Sequence, residues 1–291
     1  MGEMARPSVV AEILDRHGIR LTRSLGQHFL VDGNVLARIL EAADLAGEDT
    51  ALEIGPGIGT LTEELCRRAR RVVAVEADRR LIPALDEALG APPNLELVEG
   101  DAMRVDLAAL FHPEERVKVV SNLPYNVATP LLLRMLRELP QAKRMVVMVQ
   151  RELADRYVAG PGQPAYGAVS VKIRLLAEAR RAFFVPPTVF MPPPKVESAI
   201  LRVDRKGSPE TGPETDAFFR FVNAAFASRR KMLVNALSGG RAPYCSRAAA
   251  EAALKASGFH PGTRAEELAC EELLAVFRAL SSPSVEARKM Q

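Results

Sequence analysis

At 291 residues, 48% of them hydrophobic and 26% charged, the chain can form one full α/β domain plus a smaller one, and its composition excludes disordered and fibrous classes. It has no apolar run of the ~18 residues a membrane helix needs, and its three cysteines, Cys66, Cys245 and Cys270, match neither a disulfide framework nor a zinc site. The net charge of +3 hides an asymmetry: residues 1–126 carry 14 Lys/Arg against 21 Asp/Glu, and residues 127–291 carry 25 against 15, which fits either a polyanionic partner on the second half or a solvated basic helix face.

The opening MGEMARPSVVAEIL lacks a basic stretch followed by an apolar core and a cleavage site, so no signal peptide is expected and the reducing cytosol is the expected compartment. VVAEILDRH reads as a helix closed by Gly18, and the loop TRSLGQHFLVDGN follows. A second helix, NVLARILEAADL, has Asp32 or Asn34 as its N-cap. From Thr50 short apolar runs (ALEI, RVVAVE, LELVEG, VKVVSN, RMVVMVQ) alternate with amphipathic ones (TLTEELCRRA, RRLIPALDEAL, TPLLLRMLREL). Near-continuous apolar strands separated by helices imply a parallel sheet covered on both faces, a doubly wound α/β domain.

After Gly160 come a helix (GAVSVKIRLLAEA), an apolar AFFV, the proline-rich VPPTVFMPPPKV and a strand, SAILRVD. RKGSPETGPET is polar and rich in Pro, Gly and Thr, as a linker is. Every periodic segment beyond it is helical: AFFRFVNAAFASRRKMLVNAL, RAAAEAALKA and AEELACEELLAVFRAL. The expected organisation is an α/β domain over residues 1–207 and a small all-α domain over residues 208–291. No acid lies between Asp216 and Glu251, whereas Arg220, Arg229, Arg230, Lys231, Arg241 and Arg247 do.

ALEIGPGIGTLTEEL is a strand, a glycine-rich turn and a helix start. Gly55, Gly57 and Gly59 let the backbone turn sharply and approach a ligand at the sheet edge. Thr60 stands where the dinucleotide fingerprint wants its third small residue, so the match to a nicotinamide-binding loop is poor. Glu76 ends the next strand, where a carboxylate can accept hydrogen bonds from a ribose diol, and Asp101 ends the one after, within reach of an adenine amino group. Either acid alone fits a helix cap or a solubilising residue. Three successive strands delivering a polar residue to one edge point to an adenosine-containing cofactor. The Glu53–Gly59 pattern, E-x-G-x-G-x-G, resembles that of S-adenosylmethionine-dependent methyltransferases.

The fourth strand ends in Asn122-Leu123-Pro124-Tyr125, beside the glycine loop in a doubly wound sheet. The stretch resembles the (Asn/Asp)-Pro-Pro-Tyr motif of amino-methyltransferases. An adenine amino group is a poor nucleophile because its lone pair is delocalised. The Asn122 side-chain oxygen and a turn carbonyl, that of Leu123, can accept from its two N–H groups and aim the lone pair at the methyl donor. Pro124 fixes the turn, and Tyr125 offers a face for a base taken out of its stack. His28, in GQHFL, is the nearby titratable side chain, and a lone histidine is more often a packing residue than a catalyst.

LGQHFL, EIGPGIGTLT, EGDAM, NLPYN, VFMPPPKVESA, AFASRRKMLVNAL and GFHPGTRAEEL occur in the order and spacing of the ribosomal RNA adenine N6,N6-dimethyltransferase family, from about Leu21 to Leu280. The resemblance implies a Rossmann-like methyltransferase sheet with a small helical RNA-binding domain. It implies S-adenosylmethionine held by His28, Leu30, Gly55, Gly57, Glu76, Asp101 and Asn122, His28 standing where many members carry Asn. It also implies Phe190 as the second wall of the base pocket; the residues alone leave Phe190 equally suited to core filling. The family's substrate is a pair of adjacent adenosines in a hairpin loop near the 3′ end of 16S rRNA in the small ribosomal subunit, each dimethylated. RNA backbone contact is then expected from Arg229, Arg230 and Lys231, with a cytoplasmic monomer and no membrane partner. The competing readings are the sister branch acting on 23S rRNA in macrolide resistance, a non-catalytic assembly or transcription factor on this fold, and a nicotinamide oxidoreductase.

Overall fold

The computed structural model describes residues 6–19, 28–207, 212–228 and 231–281. The elements in chain order are α1 (Pro7–Arg16), β1 (Phe29–Leu30), α2 (Gly33–Ala43), β2 (Thr50–Ile54), α3 (Thr60–Arg68), β3 (Arg71–Glu76), α4 (Ile82–Leu89), β4 (Leu95–Glu99), β5 (Val117–Asn122), α5 (Ala128–Glu138), β6 (Ala142–Gln150), α6 (Arg151–Val158), α7 (Ala168–Leu176), β7 (Ala177–Val185), β8 (Phe190–Met191), β9 (Ser198–Arg205), α8 (Pro213–Ala225), α9 (Leu233–Ser238), α10 (Arg247–Ala256) and α11 (Cys270–Ser281). Seven strands form one sheet in the order β4-β3-β2-β5-β6-β9-β7. β2 to β6 are mutually parallel, while β9 runs antiparallel to both β6 and β7. The strand order reverses between β2 and β5, and a cleft opens at the carboxyl ends of strands at such a switch point.

The apolar runs become strands because both sheet faces are covered. Every residue of β2 is buried, and α2 sets Leu36, Ile39 and Leu40 against Ala51, Val120 and Val146. Asp32, the first of the two expected N-caps, accepts the Val35 N–H at 2.8 Å. A two-stranded antiparallel ribbon of β1 and β8 pairs Leu30 with Phe190 and Phe29 with Met191, where the sequence shows only loop; the Met191–Pro192 peptide is cis.

Three segments differ from the sequence reading. The tail of the expected helix through LLAEA is strand from Ala177, because β7 pairs along its length with β9 and the ladder overrides the helix propensity of Ala and Glu. A sheet expected to be parallel is extended by β9, which runs against its neighbours, and by β7 beyond it. The long helix expected over AFFRFVNAAFASRRKMLVNAL is broken after Ala225: Met232 forms a β-bridge with Arg264, and the Leu233 N–H goes to the Thr263 carbonyl.

Contacts divide the chain into two units, Met1–Ala154 with Ala177–Arg205, and Asp155–Leu176 with Lys206–Gln291. The segment Asp155–Leu176 thus groups with the C-terminal helices, though the sequence places it before the linker. Tyr166 donates its buried hydroxyl to the Leu268 carbonyl at 2.9 Å, and the Cys270 thiol points to the Val171 carbonyl. Phe218, Phe221 and Phe277 fill the second unit's centre with ring centroids 5.5–6.0 Å apart.

Candidate active site

A cavity of about 460 Å³ lies in the first unit at the switch point. Residues from the ends of β1, β2, β3 and β5, and from the turn after β4, line it, among them His28, Leu30, Gly55, Gly57, Glu76, Asp101, Asn122, Leu123 and Tyr125. The structure thus brings together the expected cofactor-binding and catalytic residues except Phe190; Gly59 of the glycine loop and the Arg229–Lys231 cluster are also not among the lining residues. Phe190 is 3% exposed, packs in the core with Leu30, Val185 and Val189, and is not among the lining residues. Arg229 and Arg230 lie outside the described residues, and Lys231 is exposed in the second unit.

The glycine loop earns its composition at Gly57. Its φ is +62°, and a Cβ there would come within 2.6 Å of the buried Phe29 ring. The Gly57 N–H donates to Glu76 Oε2 at 3.1 Å and the Asp78 N–H to Oε1 at 2.8 Å, so one carboxylate braces the loops after β2 and β3. Burial holds the Glu76 carboxyl above its ordinary range against the pull of these backbone donors. Asp101 is exposed and accepts the Met103 N–H at 2.8 Å, fixing the turn after β4.

Glu53 is a feature that sequence reasoning left inside the loop pattern. It is 2% exposed, lines the cavity from the middle of a fully buried strand, and accepts the Thr62 hydroxyl at 2.7 Å. Burial pushes its carboxyl up to about 8, with Glu76 adding to the rise and the Thr62 hydrogen bond opposing it. An acid inside an otherwise apolar strand was the available signal. The unfolded chain ionises this carboxyl near 4.5 and the fold resists doing so until about pH 8, so stability falls as pH climbs through that window and levels off above it. Glu53→Gln is expected to remove that slope. Its gain over wild type without cofactor should grow between pH 6 and pH 8, by roughly 3 kcal/mol at most. Denaturant melts at the two pH values check this, and parallel profiles would sink it.

At the end of β5, Asn122 donates its Nδ2 hydrogen to the His28 carbonyl at 3.1 Å. Its Oδ1 is buried, and among the described residues nothing donates to it. An unpaired buried acceptor costs about 1–3 kcal/mol, so one maintained in a cavity wall points to a ligand donor. Tyr125 stacks on His28 with centroids 5.8 Å apart and an interplanar angle of 27°, and its hydroxyl meets that of Ser198 at 2.7 Å. Burial raises the Tyr125 phenol against the pull of the Ser198 hydrogen bond, so the ring stays neutral. The Pro192 carbonyl, 2.7 Å from His28 Nδ1, can only accept, so it fixes the proton on that nitrogen. Ser198 and Pro192 lie in the quoted VFMPPPKVESA stretch, but nothing in it assigns them Tyr125 and His28 as partners, which the fold of the proline-rich segment brings about.

Among the described residues the cavity wall carries Glu53, Glu76, Asp78 and Asp101 and no Lys or Arg. Asp78 is paired with Arg80 at 2.7 Å, and Arg104 stands 3.7 Å from Asp101. Glu53 adds no charge below about pH 8, so the acidic character rests on Glu76, Asp78 and Asp101; a wall so lined suits a ligand bearing positive charge and disfavours a pyrophosphate, which calls for N–H donors and cations. Together the polar groups can accept from hydroxyls and amino groups and present an aromatic face.

A profile of the ribosomal RNA adenine dimethylase family matches residues 18–281. The chain is 44% identical over 284 residues to a protein of Pelotomaculum thermopropionicum called ribosomal RNA small subunit methyltransferase A, covering 94% of this chain and 96% of that one. It is 41% identical over 276 residues to a protein of that name from Alkaliphilus oremlandii, again covering 94% and 96%. Among solved structures it resembles the 23S rRNA methyltransferase ErmE, with a TM-score of 0.65, 30% identity and coverage of 87% of this chain and all of that one. A dimethyladenosine transferase from Plasmodium falciparum shares the fold, with a TM-score of 0.73 at 24% identity over 87% of this chain and 98% of that one.

Proposed function

The chain belongs to the ribosomal RNA adenine dimethylase family, and from that premise we propose that it dimethylates two adjacent adenosines of a hairpin loop near the 3′ end of 16S rRNA in the small ribosomal subunit. It is an S-adenosylmethionine-dependent methyltransferase with a Rossmann-like sheet. The unpaired Oδ1 of Asn122 in the cavity wall carries the reading. The small-subunit substrate is favoured over 23S rRNA by relatives of that name at 41–44% identity, against 30% to the 23S enzyme.

The residues present fit the cofactor. Glu76 and Asp101 offer acceptors for a ribose and an adenine, Gly55 and Gly57 leave room beside them, and the acidic wall suits a cation. S-Adenosylmethionine, when bound, supplies an electrophilic methyl group on a sulfonium. Asn122 Oδ1 takes a hydrogen bond from the target amino group, drawing its nitrogen toward a pyramidal nucleophile, and the Leu123 carbonyl takes the second. Tyr125 holds the extracted base by stacking, with its own ring fixed by Ser198. The proton left on the methylated nitrogen passes to solvent. Phe190 then acts by packing beside Leu30, its cross-strand partner.

The helical second unit is assigned to RNA backbone contact, through Arg229, Arg230 and Lys231, by a monomer in the cytoplasm. Reversing those three charges is expected to weaken small-subunit binding by 10-fold or more and to flatten its salt dependence, with cofactor affinity unchanged. An unaltered binding curve across a salt titration overturns the assignment.

The testing experiment transfers labelled methyl groups to undermethylated small subunits, with large subunits and naked 23S rRNA in parallel. Dimethyladenosine in 16S rRNA alone is the expected result. Label in 23S rRNA overturns the substrate, and no label with cofactor bound overturns the catalytic reading.

A further inference from the structure

The end of β7 carries an arrangement that neither the cavity nor the family motifs use. Phe184 is 38% exposed, and the guanidinium carbons of Arg181 and Arg151 stand 4.3 and 4.7 Å from its ring centroid. β7 is the outer strand of the sheet order, and a register shift between Arg181 and Phe183 turns Arg181 and Phe184 to one face. Phe183 lies on the other face, under the guanidinium of Arg38 at 3.8 Å. Since β7 runs with β6, the cluster sits at the carboxyl edge of the sheet, where the cavity opens. Arg151 directly follows β6, and Phe184 precedes the Val185 that pairs with Ser198, the partner of the Tyr125 hydroxyl. From β5 to β7 is three strand spacings, about 15 Å.

Charged edge strands also serve to block pairing with other sheets. Arg180, exposed on the opposite face, suits that role, whereas an exposed phenylalanine works against it. An aromatic ring held among guanidinium groups has a second use, because unstacked bases lie on aromatic and arginine planes while the same arginines reach phosphate. The charges along these stretches are Arg151, Arg181 and Lys195 against Glu152 and Glu197, and Arg151 engages Glu197 at 2.5 Å. Val196, 45% exposed, extends the apolar surface beside Lys195.

We propose that the Arg151–Phe184–Arg181 cluster is a docking surface for single-stranded RNA flanking the target nucleotide. The proposal rests on the RNA-methylating reading above. A target base can enter the cavity only by leaving its stack, which leaves neighbouring nucleotides unpaired at that same edge. The cluster takes one of those bases on its π surface and steadies the adjoining phosphate with a guanidinium.

The experiment measures binding of undermethylated small subunits by wild type, Phe184→Ala and Arg181→Glu, with cofactor affinity by calorimetry and melting temperature as controls. Phe184 is exposed, so both variants should fold and bind cofactor as wild type does. Each is expected to bind subunits about 10-fold more weakly, with the salt slope reduced for Arg181→Glu and kept for Phe184→Ala. Benzoylphenylalanine placed at position 184 should crosslink to 16S rRNA. Subunit affinities within 2-fold of wild type for both variants overturn the proposal, as does a crosslink only to a ribosomal protein. Wild type that binds no subunit at all overturns the functional reading itself, which separates the two failures.

Discussion

Asn122→Ala is expected to slow methyl transfer about 10²–10³-fold, the cost typical of removing one preorganised hydrogen-bonding group from a reacting centre. The side chain does two jobs. Its Nδ2 ties the end of β5 to the His28 carbonyl, and its Oδ1 stands buried without a donor. Alanine removes both, but deleting an unsatisfied acceptor offsets the lost bond, so the melting temperature should stay near that of wild type. Asn122→Asp keeps an acceptor and should retain more activity than alanine. Single-turnover rates on undermethylated small subunits make the comparison. A rate for the alanine variant within a few-fold of wild type would remove Asn122 from the chemistry.

Glu76→Ala should weaken cofactor binding by at least about 10²-fold. Both carboxylate oxygens accept backbone N–H groups, from Gly57 and Asp78, and hydrogen bonds to a charged acceptor are worth about 1.5–3 kcal/mol each. Removing the side chain therefore frees the glycine loop as well as deleting an acceptor for a ribose. Glu76→Gln offers one oxygen but turns an NH2 toward a backbone donor, so it should fall between alanine and wild type. Calorimetric titration with S-adenosylmethionine reads the effect directly. A dissociation constant within 5-fold of wild type for the alanine variant would leave Glu76 a structural brace only.

Much of this site is legible in the sequence because it is made at strand ends. Gly55, Glu76, Asp101 and Asn122 each follow an apolar run, and a doubly wound order carries all of them to one edge. Polar residues at such places are visible as interruptions of hydrophobic strands. The rest is tertiary. Nothing local marks Ser198 as the partner of Tyr125, since the two meet only after the antiparallel β9 is laid against β6. Phe190 reads equally as wall or filler in the sequence, and only the β1–β8 ribbon shows it buried beside its cross-strand partner Leu30. Ala177–Ala179 have the composition of a helix and become strand because β9 supplies a ladder. The basic run after Ala225 looks like continuous helix until Met232 finds Arg264.

The second unit is gathered from two separate stretches of chain, Asp155–Leu176 and Lys206–Gln291. Its interior joins them through Tyr166 to Leu268 and Cys270 to Val171. This bears on how such proteins can be recombined. A gene fusion with one crossover at the polar linker would transplant the C-terminal helices without the segment they close around. The recipient would then need its own Tyr166 and Val171 counterparts to complete the graft. Exchange of this unit between relatives therefore calls for both stretches to move together, or for compensating changes in the one left behind.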